Sequence, residues 1–205
     1  MSGLPKKSGL ILQERGVRIL NDVKYRHEYK YYINIGDYYI LRSRLKHIME
    51  LDKHAGKDGQ YSIRSIYFDD LKDSALFEKI SGVNHRRKYR IRFYNKDTSS
   101  IRLEKKIKDK GLTAKFKTLI TKEQCLKILH GDIEWMSFSK DKLLNELYIK
   151  MKSELYRPKT IVDYVREAYT YPIGNVRVTF DNSIFTLGYQ SVFCRFLSKR
   201  CRNCY

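Results

Sequence analysis

The sequence predicts an α+β fold in which antiparallel strands curl into a barrel and helices pack against its outside. Three observations predict it. Seven segments with alternating polar and apolar residues recur along the chain, segments of helical period lie between them, and the polar faces of the strands are heavily cationic. At 205 residues, 42% of them hydrophobic, the chain has the size and apolar content of one domain.

Residues 1 to 22 mix Gly, Ser, Pro and Lys without a sustained period, and read as a flexible N-terminal arm. The body begins at Val23. Strands are expected in YRHEYKYYI, YSIRSIYFD, RKYRIRFYN, SIRLEKKIK, LTAKFKTLIT, TIVDYVREAY and NVRVTFDNSI. In GDYYILRSRLKHIMELD, Leu41, Leu45, Ile48 and Met49 recur at helical spacing and predict an amphipathic helix. LKDSALFEKIS, KEQCLKILHG and KDKLLNELYIKMKSEL predict three more. Thr121 is placed to cap the third helix, because its hydroxyl can accept from free first-turn amides, and Gly131 to stop it. Asp109-Lys110-Gly111 separates two alternating runs and supplies a residue tolerant of positive φ, so those strands are expected to form a hairpin.

Residues two apart in a strand share a face, which sorts the charges. Arg26, Glu28 and Lys30 form one set, Lys88, Arg90 and Arg92 a second, and Arg102, Glu104 and Lys106 a third. Lys115 and Lys117 flank Phe116, Tyr164 and Arg166 flank Val165, and Arg177, Thr179 and Asp181 alternate with Val176, Val178 and Phe180. Any one such face is ordinary solvent exposure. Six together leave repulsion that needs a counterion, and a barrel with the charges inward would answer it with a linear phosphate chain. Lys and Arg number 42 against 23 Asp and Glu, a formal charge of +19, which independently implies a polyanionic partner. Arg forks grip phosphate oxygens in pairs and Lys adds point charge. Glu28 and Glu104 either hold a divalent ion that bridges phosphate oxygens or balance neighbouring cations.

Other classes are excluded by what is missing. No run of about 18 apolar residues could cross a bilayer, and the start has no hydrophobic signal core, so a cytoplasmic protein is expected. Three of the four cysteines (Cys194, Cys201, Cys204) crowd near the end and one, Cys125, lies in the body, which gives no disulfide framework. His27, His47, His54, His85 and His130 show no ligand spacing, and there is neither a Walker-type loop nor a Ser, His, Asp set.

The segments YRHEYKYYI, SIRSIYFDD, KYRIRFYN, LEKKIK, IVDYVREAY and VRVTFD, in that order, resemble the polyphosphate polymerase (VTC) domain of the CYTH or triphosphate tunnel metalloenzyme superfamily. The resemblance covers Val23 to Ile184. It implies a tunnel of antiparallel strands that binds ATP with Mn²⁺ or Mg²⁺ and transfers the γ-phosphoryl onto inorganic polyphosphate, an ATP–polyphosphate phosphotransferase. By position it implies catalytic roles for Lys30, Arg90, Arg92, Lys106 and Arg166. Arg26, Arg64, Lys88, Arg102, Lys115, Lys117 and Arg177 are assigned to substrate binding, and Glu28 and Glu104 to the metal. Arg26 stands where the superfamily commonly has the first Glu of its Glu-x-Glu-x-Lys motif, which favours transfer over hydrolysis. No Asp or Glu follows Asp181, and residues 185–205 read as an atypical Cys-rich basic tail in place of a closing strand. The barrel is therefore expected to lack its last strand, through truncation or a shifted reading frame.

Two other functions stay open at this point. One is a tunnel triphosphatase, with water as acceptor; the other is an inactive or nonenzymatic module binding polyphosphate or RNA. Nucleic acid is disfavoured because Tyr89, Phe93 and Phe116 fall on the apolar faces, with Tyr164 the exception. A membrane protein that receives the product is left open as a partner.

Overall fold

The computed structural model describes residues 17–20, 23–56 and 58–188. Nine strands form one sheet: β1 (Val17–Leu20), β2 (Val23–His27), β3 (Glu50–Leu51), β4 (Gln60–Asp69), β5 (His85–Tyr94), β6 (Ile101–Asp109), β7 (Leu112–Ile120), β8 (Arg157–Tyr171) and β9 (Val176–Gly188). The spatial order is β1-β2-β7-β6-β5-β4-β8, with β3 and β9 both paired to β8 and every pairing antiparallel. Among the described residues the sheet is open, with β1 at one side and β9 at the other.

Helices α1 (Ile35–Ile48), α2 (Ser74–Ile80), α3 (Lys122–His130) and α4 (Lys142–Ser153), with a 3-10 turn at Glu134–Phe138, complete the α+β fold. Thr121 caps α3 as expected: its hydroxyl accepts from the Gln124 amide at 3.1 Å while Gln124 Oε1 accepts from the Thr121 amide at 2.9 Å. Gly131 ends the helix at φ 82°. The β6–β7 turn places Lys110 and Gly111 at φ 45° and 85°, both in the region that two-residue hairpin turns require.

The sheet's two faces differ in chemistry. One is the helix face, where Ile66, Phe68, Tyr89, Ile91, Phe93, Ile101, Leu103, Ile120 and Ile161 pack against Cys125, Ile128 and Leu129 of α3 and Leu143, Leu144, Leu147 and Met151 of α4. Burial pushes the Cys125 thiol up to about 12, so it behaves as a small core residue. The opposite face carries the charges. A smaller cluster of Tyr61, Ile63, Tyr164 and Ala168 closes one end of that charged face.

Three expectations are corrected. The expected arm includes a strand, since Val17–Leu20 pairs with β2 in register Val17↔Arg26. Glu28 and Lys30 lie beyond the end of β2 and not within it. The Leu41, Leu45, Ile48 and Met49 stripe of α1 is not buried, and no residue of α1 is. Residues 189–205, with the cysteine-rich ending and the expected truncation, lie outside the described residues.

β9 continues past Ile184 to Gly188 by means of a bulge. Opposite Tyr164 it carries one extra residue, at Ser183–Ile184, with Ser183 at φ 51°. The extra residue turns Leu187 onto the helix face, where it packs against the main core.

Candidate functional site

The charged face can be read in rows, because antiparallel register puts residues of neighbouring strands directly opposite one another. One row crosses β4, β5, β6 and β7 as Tyr67, Arg90, Glu104 and Lys117. Beside it run Lys88, Lys106 and Lys115 on one flank, and Ser65, Arg92, Arg102 and Leu119 on the other. The sequence alternation in RKYRIRFYN and SIRLEKKIK creates these rows, with Tyr89, Ile91 and Leu103 anchoring the same strands in the helix-side core.

Arg90 and Arg92 are 8% and 6% exposed, and Glu104 between them 9%. Arg90 Nε and Nη2 donate to Glu104 Oε2 at 2.8 and 2.6 Å, and Nη1 donates to the Tyr67 hydroxyl at 3.1 Å. Arg92 Nε donates to the Ser65 hydroxyl and Nη2 to the Tyr164 hydroxyl, both at 3.0 Å, while its Nη1 lies 3.7 Å from Glu104. Burial works against the Glu104 charge, yet Arg90 and Arg92 outweigh it and hold the carboxyl below its ordinary range. Burial would likewise raise the Tyr67 phenol, but Arg90, Arg92 and Lys30 bring it down. These contacts fix two guanidinium planes on rigid strands and leave N–H groups for an anion.

The segment after β2 folds over this face. Lys106 Nζ donates to Glu28 Oε1 at 2.8 Å, reaching from β6 across β7. Lys30 acts on Tyr67 of β4, four strands from β2, a span of about 19 Å in a flat sheet at about 4.8 Å per strand. The crossing of the segment over the face brings them within electrostatic reach. Burial opposes the Glu28 charge, but the Lys106 bond and the charges of Lys106, Lys115 and Lys30 lower its carboxyl to about 2. Its Oε2 is buried and has no hydrogen-bond partner among the described residues. Lys115 is exposed to water. The protein around it still strips hydration, and with Arg26, Lys106 and Arg90 this brings its ammonium down to about 7 despite Glu28.

Toward the other end of the face, Arg166 Nε and Nη2 donate to Asp181 at 2.6 and 2.7 Å, and its guanidinium lies 5.2 Å from the Tyr164 ring centroid. Arg177 bonds Asp52 and, at 2.9 Å, the Tyr61 hydroxyl. Arg102 lies 5.4 Å from the Tyr94 ring centroid. Arg26 stands opposite Thr113 at the β2–β7 edge.

The residues singled out by sequence thus share one face, with a single departure. Arg64 points to the helix face, where its Nη2 lies 2.6 Å from Asp163, so it is separated from the others by the sheet. Of the carboxylates assigned to the metal, Glu104 is taken up by Arg90 and Glu28 half taken up by Lys106. Among the described residues no group of three or more His, Cys, Asp or Glu could hold an ion unaided. Sequence reasoning missed Ser65, Tyr67, Asp52, Tyr61 and Tyr94. The period-two alternation of Tyr61-Ser62-Ile63-Arg64-Ser65-Ile66-Tyr67 held the correction: Ser65 and Tyr67 share a parity that Arg64 does not.

The family model of the VTC domain matches residues 25–200. The chain belongs to that family. The match extends beyond Ile184 and takes in most of the segment read as an atypical tail. Membership gives this VTC domain a function related to polyphosphate polymerase, in a family associated with enzymatic polyphosphate synthesis. No curated protein matches the chain. Among its described residues no helix is long and apolar enough to cross a membrane.

Proposed function

We propose that this VTC domain transfers the γ-phosphoryl of ATP onto a polyphosphate chain held against the charged face. The observation that carries the reading is the Arg90–Arg92–Glu104 group: two buried guanidiniums, pinned on adjacent positions of one strand face, with donors still available. Phosphoryl transfer asks little covalent chemistry of a protein and much positioning and charge neutralisation. A terminal oxygen of the acceptor chain attacks the γ-phosphorus, the bond from that phosphorus to the β,γ-bridging oxygen breaks, and ADP leaves. The acceptor is longer by one phosphate. Arg90 and Arg92 orient the γ-phosphoryl, Lys106 and Lys30 neutralise the incoming chain, and Arg166 takes the remaining donor phosphates by exchanging part of its hold on Asp181.

A divalent ion, Mn²⁺ or Mg²⁺, fits Glu28 better than Glu104. Glu28 stays ionised and keeps one buried oxygen without a partner, and such ions accept one or two carboxylates with substrate oxygens completing the shell. When bound it would neutralise phosphate oxygens.

Purified full chain with ATP and Mn²⁺ is expected to give ADP and a ladder of polyphosphate on a gel. Arg92→Ala should slow the ladder about 10²-fold, the usual cost of one transition-state donor. Phosphate released from inorganic triphosphate without chain product would move the reading to hydrolysis. No product of either kind would overturn it.

A further inference from the structure

We propose that one flank of α1 is self-complementary, and that two copies of this chain pair through it as a twofold dimer with their α1 helices antiparallel. The pairing is independent of the phosphotransferase reading.

α1 turns one side to the sheet and leaves another uncovered. Tyr38, Arg42, Leu45 and Met49, at intervals of three and four, are half-buried, and Tyr38 and Arg42 bond Glu167, so they mark the side toward β8. Glu167 alternates with Arg166 of the charged face, which places α1 on the opposite face of the sheet, away from the cationic rows. Along the flank of the helix, Asp37, Ile40, Leu41, Arg44 and Ile48 also recur at intervals of three and four, and all five are exposed. Ile33, exposed as well, stands just before the Asn34 cap.

The order of these residues suits a second copy of the same helix. With a twofold axis passing between Ile40 and Leu41, an antiparallel partner sets Asp37 against the partner's Arg44, Ile40 against the partner's Leu41 and Ile33 against the partner's Ile48. Symmetry makes each contact twice. A parallel arrangement would set Asp37 against Asp37 and Arg44 against Arg44, so charge selects the antiparallel one. The Asp37 carboxylate accepts from the Asn34 amide through Oδ2, at 3.4 Å, which leaves Oδ1 for a guanidinium. Packed helices lie about 8–10 Å apart, within the reach of an arginine.

The pairing also supplies what α1 lacks. A helix of 14 residues, about 21 Å long, is marginal in water by its own propensity, and no residue of α1 is buried within the chain. One helix flank covers less than the roughly 800 Å² per partner of an ordinary interface, so the dimer is weak and reversible. The formal charge of +19 opposes it, but at physiological ionic strength that repulsion is screened beyond about 8 Å.

Sedimentation of the full chain at physiological salt, over a concentration series reaching about 1 mM, is expected to show a monomer–dimer equilibrium. Ile40→Glu and Ile48→Glu, at side chains 54% and 65% exposed, should abolish the dimer and leave the melting temperature of dilute protein unchanged. Tyr39→Glu, on the other flank of the helix, should leave the dimer intact. Arg44→Glu turns both ion pairs into like-charge contacts and should weaken association about tenfold. Adding Asp37→Lys to it should recover most of that loss. A chain monomeric throughout the series, or a dimer indifferent to all three Glu variants on the flank, would overturn the proposal. So would a charge-swapped chain that pairs no better than Arg44→Glu at equal helix content by circular dichroism. A monomer that binds phosphatidylserine vesicles, and loses them in Ile40→Glu, would give the flank to a lipid surface and overturn it too.

Discussion

Glu104 is the residue on which the charged face turns. Its carboxylate lies between two buried guanidiniums, and replacing it by Gln keeps the shape while leaving their charge unanswered. Removing one partner of a buried ionic group costs about 3 kcal/mol or more, so Glu104→Gln should lower the urea midpoint accordingly. Added tripolyphosphate should recover more stability in this variant than in the unaltered protein, because the anion takes the place of the lost charge. Lys115 makes a prediction of opposite character. Its ammonium titrates at about 7 in the folded chain against an ordinary 10.5, so between those values the unfolded chain binds more protons and stability rises with pH. Tripolyphosphate affinity should fall over the same window as the charge is lost. Lys115→Met should flatten both profiles, measured by thermal melts and by calorimetric titration at a series of pH values. The alternation of Arg90, Arg92, Glu104 and Lys106 was legible from spacing alone. Which cation meets which carboxylate was not, because partners such as Arg166 and Asp181 are set by strand register.

Among the elements, α1 is the one that packing does not explain. Asn34 and Asp37 form a capping box at its start, yet none of its residues is buried, and Ile35, Tyr39, Ile40 and Ile48 are exposed. What ties it to the sheet is mainly polar, beside the edge-on contact of the Tyr38 ring with Phe180 of β9, 5.1 Å between centroids. Glu167 of β8, fully buried, accepts from Tyr38 at 2.8 Å, from Arg42 Nε at 2.8 Å and from Tyr169. Burial opposes its charge, but these donors prevail and keep it ionised. Glu167→Ala should therefore release α1 while leaving the helix-side core intact. Hydrogen exchange is expected to quicken across residues 38–48 and to stay slow in β5 and β6. The hairpin at Lys110-Gly111 and the Thr121 cap were readable because each is a local rule satisfied within four residues. The helical spacing of α1 was readable, since Ile35–Ile48 is a helix, but apolar spacing says that a face exists, not that anything covers it. β3, two residues long, has no local signal at all.

For the whole molecule, the excess charge has a location, and that makes it testable. The helix face holds its ionic groups in pairs such as Arg64–Asp163 and Lys105–Glu146, while on the charged face Lys88, Lys115 and Lys117 have no salt-bridged carboxylate of their own among the described residues. The α+β architecture of antiparallel strands followed from counting alternating segments, and an incomplete barrel was expected because no closing strand could be recognised, whereas the order in which the strands meet depends on register and not on any strand's own pattern. A polyanion binding the folded chain alone stabilises it by mass action, about 2.7 kcal/mol at a hundredfold excess over its dissociation constant. Tripolyphosphate should accordingly raise the melting temperature, and sodium chloride should erode that gain as it screens the lysines. Arg64→Ala provides the internal control. It strands Asp163 on the helix face and should lower the melting temperature, yet the increment produced by tripolyphosphate should be unchanged. An increment that shrinks in Arg64→Ala as much as in Lys88→Ala would mean that the ligand responds to net charge and not to the face that carries it.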